Sequence, residues 1–221
     1  MILALAGGVG GARLAQGLAR VLAPDALTIV VNTGDDFEHF GLHVAPDLDT
    51  VMYTLAGMND TSRGWGLAGE TWSFMSALGR LGGATWFNLG DHDLATHVVR
   101  TDRLRKGARL SAVTHELCAR LGVRASVVPM TDDRVRTVLD TSQGTLAFQE
   151  YFVRERASPA VEAIRFDGSD RASVSEAFRS ALRDPRLDAI VICPSNPFLS
   201  IAPILALPGA RDLIQAASVP V

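Results

Sequence analysis

The first twelve residues constrain the fold of this chain more than any other stretch. An apolar run, Met1 to Ala6, leads directly into Gly7, Gly8, Gly10 and Gly11, after which apolar residues recur at helical spacing. A strand that ends in glycines and continues as a helix is typical of a phosphate-binding turn, where backbone N–H groups at a helix N-terminus face an anion. The alternative interpretation is that the glycines only let the strand and the helix pack closely.

The next segment completes a β-α-β unit. Apolar side chains at positions 14, 18, 21 and 22 indicate a helix that Pro24 ends, and residues 27–31 form a short, β-branched strand. A right-handed connection places the glycine turn and the residues after the second strand, Asn32 and Thr33 first, at the same carboxyl edge. The predicted fold class is α/β, a Rossmann-like three-layer parallel sheet with an inserted helical and hairpin region, and residues 1–221 as a single domain.

Two common nucleotide-binding signatures are absent. Counted from Gly8, the third position of a dinucleotide fingerprint is Arg13 rather than Gly or Ala. Lys106 is the only lysine among 21 basic residues, and Gly107 follows it, so the chain has no Walker-type loop. Arginines, backbone amides or a divalent metal must therefore contact any bound anion.

A second cluster of polar residues lies just after the second strand. Five carboxylates fall within fifteen residues, with two histidines among them: Asp35, Asp36, Glu38, Asp47, Asp49, His39 and His43. Solvated loop acids are the ordinary explanation, but acids beside a phosphate turn also suit Mg²⁺, which binds one or two carboxylates together with phosphate oxygens. A helix starts at Pro46, with Asp47 or Asp49 as a possible N-cap.

The rest of the chain alternates helical and extended patterns. Residues 59–83 are expected to be a covering segment, residues 135–153 a hairpin, and residues 85–89, 123–128 and 187–192 strands. Ser111 is the predicted N-cap of a helix that Gly122 ends, and Ser173 opens a capping box with Glu176. Ser195 and Asn196 lie between two prolines after the last strand, where they offer a hydroxyl and an amide to a ligand.

Composition excludes several classes of function. The net charge of −3, with the signs interspersed, gives no continuous basic face for nucleic acid. No run approaches about 18 apolar residues, and no basic region precedes the apolar start, so we expect no membrane span and a cytoplasmic protein. Cys118 and Cys193 are predicted to be buried thiols. His92 and His97 do not have the spacing of zinc ligands. The last residues, 218–221, resemble the start of another strand, which predicts that this chain is part of a longer one.

Eight motifs, in order along the chain, resemble one family. They are Gly-Gly-Val-Gly-Gly-Ala at 7–12, Asn-Thr-Gly-Asp-Asp at 32–36, Gly-Leu at 41–42, Pro-Asp-Leu-Asp-Thr at 46–50, Gly-Asp-His-Asp at 90–93, Pro-Met-Thr-Asp-Asp-Arg at 129–134, Phe-Gln-Glu-Tyr-Phe-Val at 148–153, and Pro-Ser-Asn-Pro-Phe-Leu-Ser-Ile at 194–201. Together they resemble the 2-phospho-L-lactate transferase family of coenzyme F-420 biosynthesis.

The resemblance implies a reaction. A phosphoester-linked three-carbon acid would pass from a guanosine diphosphate conjugate to the ribityl hydroxyl of the deazaflavin Fo, with Mg²⁺ bound and GMP released. No residue indicates whether the three-carbon acid is lactate, enolpyruvate or glycerate. The family is longer by roughly the last third of its chain, and the resemblance favours a homodimer.

The resemblance also assigns residues. Asp49 matches the aspartate that contacts Fo and is the predicted catalytic residue, while Asn88 and Asp91 are grouped with it as Fo contacts. We expect the donor along the glycine turn, Asn32, Thr33 and the Ser195–Asn196 loop, and Mg²⁺ near three carboxylates, those of Asp35, Asp36 and Asp49. A carboxylate can then orient the attacking hydroxyl.

Two other classes of protein remain as alternatives. The first is a non-catalytic regulator of carbon metabolism or cell shape that binds nucleotide sugars. The chain also resembles a related bacterial family of this kind, which shares the glycine turn and the sheet. A Rossmann-type oxidoreductase is disfavoured by Arg13.

Overall fold

The computed structural model describes residues 1–221. The strands are β1 (Ile2–Ala6), β2 (Leu27–Val31), β3 (Phe37–His39), β4 (Leu42–Val44), β5 (Ser126–Pro129), β6 (Arg136–Thr141), β7 (Gly144–Ala147), β8 (Val161–Asp167) and β9 (Ala189–Ile192). The helices are α1 (Gly8–Val21), α2 (Pro46–Leu55), α3 (Ser73–Arg80), α4 (Asp91–Arg105), α5 (Leu110–Arg120), α6 (Glu176–Leu182), α7 (Ala202–Leu205) and α8 (Ala210–Ala216).

Four parallel strands form the central sheet in the order β5-β2-β1-β9. Successive residues of a strand point to opposite faces, and here both faces are buried. Leu3 and Leu5 of β1 pack into a core with α6, α7 and α8, whereas Ala4 and Ala6 pack into a second core with α1, α2 and α5. The structure confirms the predicted α/β fold with a parallel sheet between two helical layers.

The glycine turn is tightly packed. A Cβ atom on Gly7 would lie 2.6 Å from the Ser200 side chain, one on Gly10 would lie 2.1 Å from the Pro194 carbonyl oxygen, and one on Gly11 would lie 2.6 Å from Ser195 Oγ. Helix α1 starts at Gly8, within the glycines rather than after them. Close approach of the loop after β9 therefore requires these glycines, whatever else they do.

We expect Gly10→Ala to destabilise the protein, because its methyl group would overlap a backbone carbonyl of that loop. The matched control is Gly17→Ala in the same helix, where nothing lies within 4 Å of the added Cβ. Gly17→Ala should raise the free energy of unfolding by about 0.5–1 kcal/mol, and Gly10→Ala should lower it. Urea denaturation measures both, and equal effects of the two changes would contradict the packing argument.

One predicted strand is wrong. Residues 85–89 form no strand, since Trp86 and Phe87 pack in an aromatic cluster with Phe37 and His39. The ring centroids of Phe37 and Phe87 are 4.8 Å apart, and those of His39 and Trp86 are 5.2 Å apart. A short apolar run has the same sequence pattern whether its side chains pack in a strand or in a loop.

Two predicted helix caps are also wrong. Ser111 lies inside α5, where its amide and its hydroxyl both donate to the carboxylate of Asp132, at 2.7 and 3.0 Å. Helix α6 is capped by Ser175, which accepts a hydrogen bond from Phe178 N, rather than by Ser173. Each cap depends on where the backbone leaves the helix, which neighbouring serines in the sequence do not reveal.

A second, antiparallel sheet lies beside the parallel one. Strands β6 and β7 form the predicted hairpin through a turn at Ser142 and Gln143, and β8 pairs with the other side of β6. The hairpin ends earlier than predicted, because Glu150–Arg154 form a π-helical turn. In the order β7-β6-β8, β7 and β8 are the edge strands, and neither pairs with a strand of the parallel sheet.

Residues 59–83 contribute no strand to either sheet. The segment contains one isolated bridge, between Asn59 and Leu67, and then helix α3. The guanidinium of Arg63 lies over two indole rings, 5.4 Å from that of Trp65 and 4.9 Å from that of Trp72. These contacts hold the loop before α3 together.

The end of the chain lies along β9. Residues 218–221 form no strand, although Ile190 N donates a hydrogen bond to Pro220 O at 2.8 Å. Cys118 and Cys193 are free and buried, as predicted. No single helix is long and apolar enough to span a membrane. The helical pair Pro197–Leu205 and Ala210–Ala216, bent by 79°, meets that requirement in length and composition only.

Candidate active site

Asn32, just after β2, joins three segments of the carboxyl edge. Its Nδ2 atom donates to Asp35 Oδ1 at 3.1 Å, to Asp47 Oδ2 at 2.9 Å and to Leu199 O at 3.2 Å, while its Oδ1 accepts from Gly34 N at 2.8 Å. The side chain is fully buried. Its hydrogen-bonding groups are all engaged within the protein, so Asn32 has a structural role here, and its contact with the donor stays a prediction.

Asp47 occupies the N-terminus of α1. Its Oδ1 accepts a hydrogen bond from Gly8 N at 2.7 Å, and Gly7 N donates to Ser195 Oγ at 3.3 Å. Asp47 therefore does not cap its own helix α2, which begins after Ala45 without a side-chain cap. The amides of Gly7 and Gly8 are therefore engaged by a serine hydroxyl and a carboxylate of the protein, and the donor contact of the glycine turn stays a prediction.

Asp35 and Asp47 are both buried carboxylates. Burial raises the pKa of Asp47 to about 6, against an ordinary 3.8, although Asn32 and the Gly8 amide stabilise its charge. Burial and the neighbouring charge of Asp47 raise the pKa of Asp35 well above its usual range. A positive charge placed beside these two acids would relieve both effects.

We expect this elevated pKa to make stability depend on pH. The unfolded chain loses the Asp47 proton near pH 3.8 and the folded chain near pH 6, so the free energy of unfolding falls as pH rises through this window. Asp47→Asn removes a contribution on the order of 2–3 kcal/mol from that fall. Denaturation of both proteins from pH 4 to 7, with a chelator present, measures the difference, and parallel curves would refute the assignment.

The two carboxylate oxygens of Asp36 have different surroundings. Its Oδ2 lies 2.9 Å from His43 Nε2, while its Oδ1 is buried and has no hydrogen-bond partner. The hydroxyl oxygens of Thr33 and Thr137 are also buried without partners. Unsatisfied buried oxygens are costly, and three of them lie in this one region.

Asp49 lies in a different buried network. Both of its carboxylate oxygens accept hydrogen bonds from the Arg100 guanidinium, the Oδ2 contact being 3.1 Å, and His97 Nδ1 lies 3.7 Å from Oδ2. Asp93 continues the network, 3.4 Å from His97 Nε2, and accepts from Tyr53 Oη at 2.7 Å. The network ties α2 to α4.

The structure does not bring together the three carboxylates predicted to bind Mg²⁺. The only group of three potential ligand atoms within 4.8 Å of one another is Asp49, Asp93 and His97. Asp49 is neutralised there by Arg100, whose guanidinium also lies 3.3 Å from His97 Nδ1. A divalent cation in this group would lie beside a fixed positive charge, whereas Asp35 and Asp36 have no such neighbour in contact.

We expect Arg100→Met to lower the free energy of unfolding by about 3–5 kcal/mol, because it leaves the buried Asp49 carboxylate without a partner. Arg103→Met in the same helix is the control. Arg103 pairs with Glu116 near the surface, where an ion pair contributes only about 0–1 kcal/mol. Adding Asp49→Asn to Arg100→Met should recover part of the loss in a double-mutant cycle, and strict additivity would contradict the pairing.

Asp91, a predicted Fo contact, holds the start of helix α3 in this structure. Asp91 accepts from Thr71 Oγ1 at 2.5 Å and from the amides of Ser73 and Phe74, both at 3.0 Å, so it caps helix α3. Reciprocally, Glu70 accepts from the first amides of α4, those of His92 and Asp93, at 2.9 and 2.8 Å. Helices α3 and α4 therefore exchange their capping carboxylates.

Asn88 and Asn196 differ in their local roles. Asn88 is exposed and its side chain makes no hydrogen bond in the protein. Asn196 caps the π-helical turn Pro197–Ile201, its Oδ1 accepting from Phe198 N at 3.0 Å and Leu199 N at 3.1 Å. The Nδ2 group of Asn196 donates to no protein atom and so is available to a ligand.

A cavity lies between the carboxyl edge of the parallel sheet and the antiparallel sheet. It encloses about 780 Å³, and its walls carry residues from the ends of β2 and β5, from β6, and from the chain after β7. Thr33, Asp35 and Asp36 line it, as do Arg134 and Arg136. Gly7, Gly8, Gly10, Gly11, Asn32, Asp49, Asn88, Asp91, Ser195 and Asn196 do not line it.

One wall of this cavity is aromatic. Phe37, Trp86 and Phe148 line it, and Phe148 stacks on the exposed ring of Phe152 with 5.6 Å between centroids. The motif that contains Phe148 carries no predicted contact, and the sequence pattern predicts Trp86 in a strand rather than in a site. Phe37, which directly follows the motif 32–36, is the one signal in the sequence for this wall.

The fold and the cavity define a Rossmann-like α/β protein with its candidate site at the carboxyl edge of a parallel sheet, the usual position for ligands in such sheets. Sequence comparison is more specific. The profile of the family described as 2-phospho-L-lactate transferase CofD matches residues 2–221. The chain belongs to this family of transferases.

Named relatives agree with this assignment. The chain is 49% identical over 226 residues to a phosphoenolpyruvate transferase of Streptomyces coelicolor, covering 100% of this chain and 70% of the relative. It is 44% identical over 237 residues to a phosphoenolpyruvate transferase of Mycobacterium tuberculosis, covering 98% and 71%.

Solved structures show the same fold at low sequence identity. Two crystal structures of a Bacillus halodurans protein, one described as a member of the UPF0052 family, superpose with TM-scores of 0.64 and 0.66 at 17% and 16% identity. Each covers 99% of this chain, which in turn spans 66% of the length of that protein.

Proposed function

We propose that this chain carries the donor and acceptor sites of a transferase in coenzyme F-420 biosynthesis. A phospho-linked three-carbon acid passes from a guanosine diphosphate conjugate to the terminal ribityl hydroxyl of the deazaflavin Fo. The hydroxyl oxygen forms the new bond to phosphorus, the bond from that phosphorus to the oxygen of the departing nucleotide breaks, GMP leaves, and the hydroxyl proton goes to a base. Family membership and the names of the relatives support this class of reaction.

The observation that carries the proposal is the chemistry of the cavity walls. Asp35 and Asp36 supply carboxylates, and Asp36 Oδ1 and the Thr33 and Thr137 hydroxyl oxygens are buried without partners among the residues that line it. Oxygen atoms of this kind are the ligands that Mg²⁺ prefers, so these residues fit the predicted cofactor. When bound, Mg²⁺ would neutralise charge on the phosphates of the donor.

The rest of the cavity suits an aromatic acceptor and a charged donor. The rings of Phe37, Trp86 and Phe148 offer faces and edges on which a tricyclic deazaflavin can stack. Packing the acceptor against them excludes water from the reacting hydroxyl and fixes its direction, which is the main task of an enzyme in phosphoryl-type transfer. Asn196 lies outside the cavity, where its free amide can contact the guanosine part of the donor.

The reaction is tested by mixing the protein with Fo, Mg²⁺ and each of three guanylated donors, carrying lactate, enolpyruvate or glycerate, and measuring GMP release. We expect GMP with at least one donor and none in the presence of a chelator. Asp36→Asn should lower the rate by about tenfold to a hundredfold, as for the loss of a metal-site group. Asp102→Asn is the control, because Asp102 is an exposed ion-pair residue of α4.

The same assay decides the role of Asp49. The family resemblance assigns it to Fo, whereas the geometry places both of its oxygens on Arg100. Loss of turnover in a folded Asp49→Asn variant supports a direct role, and retained turnover supports a structural one. Binding of GDP without GMP release from any donor would instead favour the regulatory class. The homodimer stays a prediction, which light scattering of the purified protein tests.

A further inference from the structure

Arg136, which lines the cavity, differs from the other partly buried arginines because it forms no ion pair. Five arginines are not fully exposed, and four of them form ion pairs: Arg63 with Asp60, Arg100 with Asp49, Arg103 with Glu116 and Arg179 with Glu176. Arg136, the fifth, has no carboxylate oxygen within ion-pair distance. Its guanidinium donates one hydrogen bond, to Val135 O at 2.6 Å.

The carboxylates near Arg136 compensate its charge only in part, because none forms an ion pair with it. Burial lowers the pKa of Arg136 and Arg134 reinforces that shift, whereas the nearby charges of Asp36 and Glu38 oppose it. Arg134 is exposed, lines the same cavity and forms no ion pair. A partly desolvated cation without a counter-ion is unfavourable, and a cavity wall is where a ligand can supply one.

We propose that Arg136, with Arg134 beside it, binds an anionic group of the ligand, a phosphate or a carboxylate. The planar guanidinium presents paired N–H donors whose spacing matches the two oxygens of either group. Naming the guanylated three-carbon acid as the ligand rests on the proposed function, but the anion site itself does not. In the named ligand the anionic group is either the diphosphate or the carboxylate of the acid.

This assignment replaces the glycine turn as the main anion contact. The amides of Gly7 and Gly8 already donate to Ser195 and Asp47, and the turn does not line the cavity. The chain has a single lysine, which does not line the cavity, so arginine must supply the positive charge there. Arg136 on β6 and Arg134 on the loop before it do so.

Calorimetric titration with three probes tests the site: inorganic diphosphate, GDP and phosphoenolpyruvate, without acceptor. Arg136→Gln should weaken binding of at least one probe by roughly tenfold to a hundredfold, and Arg136→Lys, which keeps the charge but loses the fork, by less. Weaker binding of diphosphate and GDP identifies the diphosphate as the group bound. Weaker binding of phosphoenolpyruvate alone identifies the acid.

Arg165→Gln is the matched control. Arg165 lies on β8 of the same antiparallel sheet, is exposed, and pairs with Asp140 and Asp167. Its replacement should leave all three affinities unchanged. Melting temperatures provide a second readout, because removing an unpaired cation leaves the stability of the free Arg136→Gln protein unchanged or higher, whereas a structural arginine would lower it.

The inference is overturned if no probe binds the wild-type protein, if Arg136→Gln binds every probe as tightly as wild type, or if Arg165→Gln weakens binding equally. A GMP assay run in parallel keeps the two proposals apart. Probe binding lost in Arg136→Gln, with no GMP formed by wild type, supports the anion site and rejects the reaction. GMP formation with unchanged probe binding in Arg136→Gln does the reverse.

Discussion

The carboxyl edge of this protein depends on a single buried amide. The Nδ2 group of Asn32 donates to two carboxylates and to the carbonyl of Leu199, so it joins the end of β2, the first turn of α2 and the loop after β9. Without that donor, the buried acids Asp35 and Asp47 would face each other and repel. Three segments far apart in sequence therefore meet at one side chain, and the positions of the glycine turn and the cavity follow from that meeting.

The close packing of the glycine turn and the free positive charges of the cavity lie at separate places in this fold. The glycines accept the approach of Pro194, Ser195 and Ser200, where a Cβ would overlap, and Asp47 supplies the negative charge that the N-terminus of α1 attracts. The protein thus satisfies its own helix terminus. Positive side chains and an unpartnered carboxylate oxygen line the cavity instead, at Arg134, Arg136 and Asp36.

Local sequence was sufficient for the framework of the fold. The apolar runs of β1 and β2, the glycines between strand and helix, and the helical spacing of α1 each carry their own signal, so the parallel sheet could be predicted. Contacts between residues that are distant in sequence leave no such local signal. Nothing near Asp49 indicates Arg100, fifty-one residues later, and nothing near Arg136 shows that it lacks a carboxylate. Helix caps failed for the same reason, since Asp132 and Asp47 stabilise helix ends to which they are not adjacent in sequence.

The exchanged carboxylates of α3 and α4 have a consequence for how this region forms. A helix that carries its own cap can begin to order before it meets the rest of the protein. Here the first amides of α4 need Glu70, and those of α3 need Asp91, so neither helix start is satisfied until the other is in place. Residues 70–93 should therefore order and melt as one cooperative unit, and a fragment that ends between the two helices would lose both.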